Sequence, residues 1–175
     1  MLMQRDLPLP GPVDVPGVTF RPQTIDDVDA LGSLYWDSYP KGAAAVDLED
    51  ATEEMEGVFE GEYGKPLEAA SLVAVEADGR LIGCIQTVTE APWEGVPRGP
   101  FVVELFVHPE HRRRGLGSVL LLAAARGCAE SGWEQIALNV QEETSAEAIY
   151  LYRKLGFEEI EPTFDPVVGE SIEVH

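Results

Sequence analysis

The chain has 175 residues, 45% hydrophobic and 25% charged, the size and balance of one globular domain with a core of its own. Its 32 acidic residues outnumber 12 basic ones, and a formal net charge of −20 repels phosphate backbones and anionic membranes while favouring a cationic partner; plain solubility is the alternative reading. No basic leader precedes an apolar stretch and no run is long and apolar enough to span a bilayer. A soluble cytoplasmic protein with no nucleic-acid or membrane partner is expected.

Pro8, Pro10, Pro12 and Pro16 crowd the first segment, which predicts a tail over residues 1–17 and a single domain over 18–175. Val18 to Arg21 reads as a short strand. Thr24, followed by Ile25, Asp26 and Asp27, reads as the N-cap of a helix that runs through Leu31, Leu34 and Tyr35 to Pro40. From Asp47 to Glu62, carboxylates surround Leu48, Met55, Val58 and Phe59, the pattern of a second, strongly acidic helix. Ser71 to Glu76 and Leu81 to Thr89, joined at Asp78-Gly79, predict an antiparallel hairpin. Ala91 to Pro100 is a loop by composition, with Trp93 as a lid or, more simply, a packed anchor.

Phe101 to Val107 is an apolar strand interrupted by Glu104 and ended by His108-Pro109. A helix with Leu116, Val119, Leu120, Ala123 and Ala124 on one face follows, then a strand from Ile136 to Val140. A helix from Ser145 to Leu155 stops at Gly156, with Phe157 placed to fold back on its last turn. Phe164 to His175 reads as either a last strand or an acidic tail. Cys84 and Cys128 lie in apolar runs without CxxC spacing and read as buried free thiols.

The stretch Glu104-Leu105-Phe106-Val107-His108-Pro109-Glu110-His111-Arg112-Arg113-Arg114-Gly115-Leu116-Gly117 carries a strand into a basic, glycine-bearing turn that opens a helix. Backbone N–H groups at such a helix start can approach a diphosphate closely. A dinucleotide pattern would need glycine where Leu120 stands, and no Gly-Lys-Ser/Thr follows for a P-loop. A basic turn capping a core helix is the bland alternative. His108 and His111 lack a third ligand at plausible spacing, so no metal is expected.

The turn, together with Ala148-Ile149-Tyr150-Leu151-Tyr152-Arg153-Lys154-Leu155-Gly156-Phe157, resembles the GNAT superfamily of N-acetyltransferases. Arg112-x-x-Gly115-x-Gly117 is similar to the family's pyrophosphate loop, and the later segment to its Ala-Ile-x-Leu-Tyr-x-Lys-Leu-Gly-Phe signature. The resemblance is specific from about Phe101 to Ile160. It implies an α/β GNAT fold with a central, mixed but mostly antiparallel sheet of six to seven strands, flanked by about four helices. The fourth and fifth strands of that plan would splay apart and leave backbone groups around Leu105, Phe106 and Val107 for the pantetheine arm of acetyl-CoA. The N–H groups of Arg113, Arg114, Gly115, Leu116, Gly117 and Ser118 would hold the diphosphate, with Arg112 in the same loop and Asn139 near the thioester arm. Ser145 stands where the family often has a cofactor-contacting Asn, and serine is a good N-cap.

An amine acceptor must lose a proton before it attacks a thioester. Glu104, the lone charge in an apolar strand, is the candidate base, with an ordinary outward-facing residue as the alternative. Tyr152, at the family's tyrosine position, is the candidate acid for the departing thiolate, with core packing beside Ala148 and Leu155 as its alternative. Direct transfer in a ternary complex is expected rather than an acyl-cysteine. The acceptor would be a cationic small amine or a protein amine, drawn by the acidic second helix and Asp37. A non-catalytic acyl-CoA-binding or sensor module on the same fold is the second reading, and the resemblance also raises a homodimer.

Overall fold

The computed structural model describes residues 1–141 and 144–162. In chain order the elements are β1 (Leu2–Asp6), β2 (Val18–Pro22), α1 (Val28–Ser38), α2 (Leu48–Phe59), β3 (Lys65–Pro66), β4 (Leu72–Glu76), β5 (Leu81–Thr89), β6 (Phe101–Val107), α3 (Leu116–Glu130), β7 (Gln135–Asn139), α4 (Ala146–Lys154) and β8 (Glu158–Ile160). The expected last strand or tail at Phe164 to His175 lies outside the described residues.

One sheet runs β2-β4-β5-β6-β7-β1-β8, with β3 paired to β5. Every pairing is antiparallel except β6 with β7. Alternating strand residues are buried on both faces, because helices cover both. On one face α3 packs Leu116, Leu120, Leu121 and Ala124 against Ile82, Ile85, Val102 and Ile136, and α4 adds Ile149, Tyr152 and Leu155 at the rim. On the other, Leu31, Leu34 and Tyr35 of α1 and Ala51 and Met55 of α2 cover Val73, Cys84 and Phe106.

The hairpin at Asp78-Gly79 forms as its sequence requires, with Gly79 at φ 90° and the Glu76 N–H donating to the Arg80 carbonyl. The helix start at Thr24 first makes a 3-10 turn, Ile25–Asp27, before α1. Asp27 closes that corner: it accepts from the Thr24 backbone at 2.7 Å and forms a two-pronged ion pair with Arg21 at 2.8 and 2.9 Å. The Arg21 guanidinium therefore holds the Asp27 carboxyl below its ordinary value.

The first 17 residues are not a tail. Leu2–Asp6 forms β1, inserted between β7 and β8 with Met3 fully buried. The prolines begin at Pro8, so five residues remain free to donate to a ladder, and a strand as short as five is ordinary. The proline-rich stretch then lays Leu9 and Val15 against the core. With β1 and the two-residue β3, neither assigned from the sequence, the sheet reaches eight strands among the described residues.

Candidate active site

β6 carries the site because its register breaks at one residue. Gln86 on β5 pairs with Glu104 but Thr87 pairs with Val102, leaving Val103 as a bulge. The extra residue puts Val103 and Glu104 on the same face, toward α1 and α2, while Leu105 and Val107 turn to the α3 side. Glu104 thus leaves the bland strand position that strict alternation would give it.

Two tyrosines from α1 and its C-terminal end meet the carboxylate. Tyr35 and Tyr39 hydroxyls donate to Glu104 Oε1 and Oε2, each at 3.4 Å, and both rings pack on Phe106, with centroids 5.3 and 6.2 Å away. Burial pushes the Glu104 carboxyl up to about 7 from its ordinary 4.5, the tyrosine hydrogen bonds pulling it down and the charge of Glu54 pushing it further up. The phenols of Tyr35 and Tyr39 are raised by burial and then by the charge of Glu104, so both stay protonated donors near neutral pH.

Beside this cluster the sheet opens. β6 and β7 pair only at Phe101↔Ala137 and Val102↔Leu138, so beyond Val102 the β7-facing edge of β6 has no strand partner. Unpaired backbone groups on such an edge are a template for an extended ligand. Val107 departs in part from that expectation, since its carbonyl already accepts from Arg112 Nε at 3.1 Å. Arg112 Nη2 also donates to the Ser38 carbonyl, tying the end of α1 to the end of β6.

At the mouth of the opening, Arg113 adopts φ 70° and Gly115 φ 74°, and α3 starts at Leu116. At this sharp turn the first N–H groups of α3 have no carbonyl of their own helix to accept them. A Cβ added at Gly115 or Gly117 would meet no protein atom within 4 Å, so packing does not demand glycine at Gly117. A closely approaching phosphate would need that space kept clear of any side chain. Leu116 buries its side chain, so only its backbone faces the turn, and Arg114 is held by His111 Nδ1 at 2.8 Å.

Tyr152, in α4, is half-buried against the α3-side core with its ring 6.1 Å from Phe157. Burial raises its phenol. The Phe157 N–H donates to the Tyr152 carbonyl at 2.9 Å and Gly156 sits at φ 88°, the helix stop that the sequence predicts. Asn139 ends β7, where its Oδ1 lies 3.4 Å from the Met1 nitrogen. The Ser145 hydroxyl accepts from the Ala148 N–H at 3.1 Å as the α4 N-cap. Asp37 lies near Lys41 at 3.9 Å and His108 at 4.0 Å.

The sequence reading missed Tyr35 and Tyr39 as partners of Glu104, and Glu54 and Tyr63 nearby, whose side chains bond at 2.6 Å. Both cysteines are free and buried; burial drives Cys84 well above its ordinary value and Cys128 to about 12, so neither is a thiolate nucleophile near neutral pH. Among the described residues no group of three or more His, Cys, Asp or Glu is arranged to hold a metal ion. None of the described helices is long and apolar enough to cross a membrane.

Residues 28–157 match the acetyltransferase (GNAT) family. The chain belongs to that family. Among GNAT relatives, a mycothiol acetyltransferase of Acidimicrobium ferrooxidans is 32% identical over 89% of this chain and 49% of its own length. An N-alpha-acetyltransferase of Sulfurisphaera tokodaii is 36% identical over 57% of this chain and 62% of its own length. The chain thus spans about half the length of the first of these and under two thirds of the second. A GCN5-related N-acetyltransferase from Sphaerobacter thermophilus shares the fold with a TM-score of 0.68 at 20% identity, covering 91% of this chain and 48% of that one. AAC(6′)-Iy, solved with a CoA-containing bisubstrate analogue, superposes with a TM-score of 0.61 at 20% identity over 85% of this chain and 95% of that one.

Proposed function

We propose that this GNAT chain is an acetyl-CoA-dependent N-acetyltransferase that acetylates a cationic primary amine by direct attack in a ternary complex. The observation that carries the reading is Glu104, a half-buried carboxylate raised to about 7, at the point where β6 parts from β7. A base with that affinity takes a proton from an ammonium group and is half ready to do so at neutral pH. Acetyl-CoA, when bound, supplies the thioester, and the residues that fit it are the open β6 edge and the glycine-bearing turn from Arg113 to Ser118.

Glu104 takes one proton from the ammonium, and its charge holds the cation in place while it does so. The nitrogen lone pair forms the new N–C bond, the C–S bond breaks, and the electron pair leaves with sulfur. Tyr152, kept protonated by burial, donates its hydroxyl proton to that sulfur. The second proton lost by the nitrogen restores the Tyr152 phenol. No acyl-cysteine is needed, since both thiols are buried.

The test is amine-dependent release of free thiol from acetyl-CoA across a panel of primary amines, with Tyr152→Phe alongside. The intact chain should turn over, and the variant should lose about 100-fold in kcat with KM for acetyl-CoA changed only a few-fold. Binding of acetyl-CoA with no turnover of any amine would favour the non-catalytic module instead.

A further inference from the structure

Outside the groups used for catalysis, a second carboxylate sits in an aromatic setting of its own. Glu54 on α2 is half-buried and accepts a 2.6 Å hydrogen bond from the Tyr63 hydroxyl. Tyr63 stacks on Trp93, with centroids 6.1 Å apart and planes 19° from parallel, and Trp93 leans on Phe101 at 5.9 Å. Phe101 opens β6, three residues before Glu104, so this chain of rings ends on the strand that carries the base, about 10 Å along it. Trp93 itself remains 46% exposed, so the stack reaches solvent.

Among the described residues, neither Glu54 nor Glu104 has a Lys or Arg within ion-pair distance, and their side-chain hydrogen bonds come from tyrosine hydroxyls. The charge of Glu54 raises the cost of charge on Glu104. An independent observation points the same way. Gln86, the cross-strand partner of Glu104, is fully buried, and its Oε1 has no hydrogen-bond donor. Its Nε2 is engaged by Gln23, on the β2 side of the sheet, and by Met55 of α2, which leaves the orphan oxygen on the other branch of the amide. Two carboxylates and a buried carbonyl therefore lie on the side of β5 and β6 that α1 and α2 cover, and among the described residues neither carboxylate is ion-paired to a Lys or Arg.

We infer that Glu54, with the Tyr63–Trp93 stack beside it, is a second cation subsite next to Glu104, so that the preferred acceptor is a compact diamine. One ammonium group is deprotonated at Glu104 and acetylated, and the other is held by the Glu54 carboxylate and the aromatic faces. This rests on the proposed acetyltransferase reading for its inner half; the outer half stands on the Glu54 geometry alone.

The experiment compares butylamine with 1,4-diaminobutane as acceptors, for the intact chain and for Glu54→Gln and Trp93→Ala, with calorimetric binding of 1,4-diaminobutane in parallel. The intact chain should favour the diamine in kcat/KM by about tenfold or more, and each variant should bring the ratio of the two amines near one. Equal use of the two amines by the intact chain, or an unchanged ratio in Glu54→Gln, overturns the subsite while leaving the acetyltransferase reading intact. If neither amine is acetylated, diamine binding that Glu54→Gln weakens supports the subsite and counts against the catalytic reading. Absence of diamine binding overturns the subsite.

Discussion

A carboxyl group enclosed by aromatic rings binds its proton more tightly than one in water, and Glu104 is such a group. If it is the base, kcat/KM should rise with pH through about 7, and Glu104→Gln should lower kcat by about 100-fold or more and remove that limb from the profile. The same shift has a sign for stability. The folded protein holds the proton more tightly than the unfolded chain, so stability is fully present below about 4.5 and falls as pH rises through about 7. Glu104→Gln, which cannot ionise, should therefore exceed the parent by about 2 kcal/mol in urea unfolding at pH 8 and show little gain at pH 4. A parent protein as stable at pH 8 as at pH 5, measured against the variant, would contradict the enclosure of Glu104. The residue was legible in the sequence because a lone charge in an apolar strand needs a reason. Its partners were not, since Tyr35 and Tyr39 lie 69 and 65 positions away and only the packing of α1 on β6 brings them close.

At the scale of elements, β5, β6 and the helix stop at Gly156 were legible because period, turn residues and end signals agree there. β1 was not, because four prolines close behind it weigh against any strand and its five residues carry no repeated pattern. The bulge at Val103 also escaped the sequence, since it reflects pairing with β5 and not a property of β6 alone. Helix contacts set a further constraint. A Cβ on Gly127 of α3 would come within 1.9 Å of the Ala69 carbonyl oxygen, an atom fixed by the 3-10 turn Glu68–Ala70. Gly127→Ala must push α3 off that turn and should cost about 3 kcal/mol despite alanine's better helix propensity. Thermal unfolding reads this directly, and a variant as stable as the parent would mean that α3 sits farther out than described.

For the molecule as a whole, a net charge of −20 opposes the approach of a polyphosphate, so binding must be won locally. Arg112, Arg113 and Arg114 concentrate positive charge at the turn that opens α3. The rest of the acidic surface suits a cationic acceptor. Gly117 separates these contributions from stability, because nothing in the protein occupies the space its Cβ would enter. Gly117→Glu should fold with an unchanged melting temperature and place a carboxylate where the proposed diphosphate site lies.

Isothermal titration of acetyl-CoA into the intact chain and into Gly117→Glu tests the central claim most directly. The expected result is micromolar binding by the intact chain, weakened by about 100-fold or more in a variant that is as stable as its parent. No binding by the intact chain, or equal binding by both, would contradict the assignment of the α3 turn as the diphosphate site.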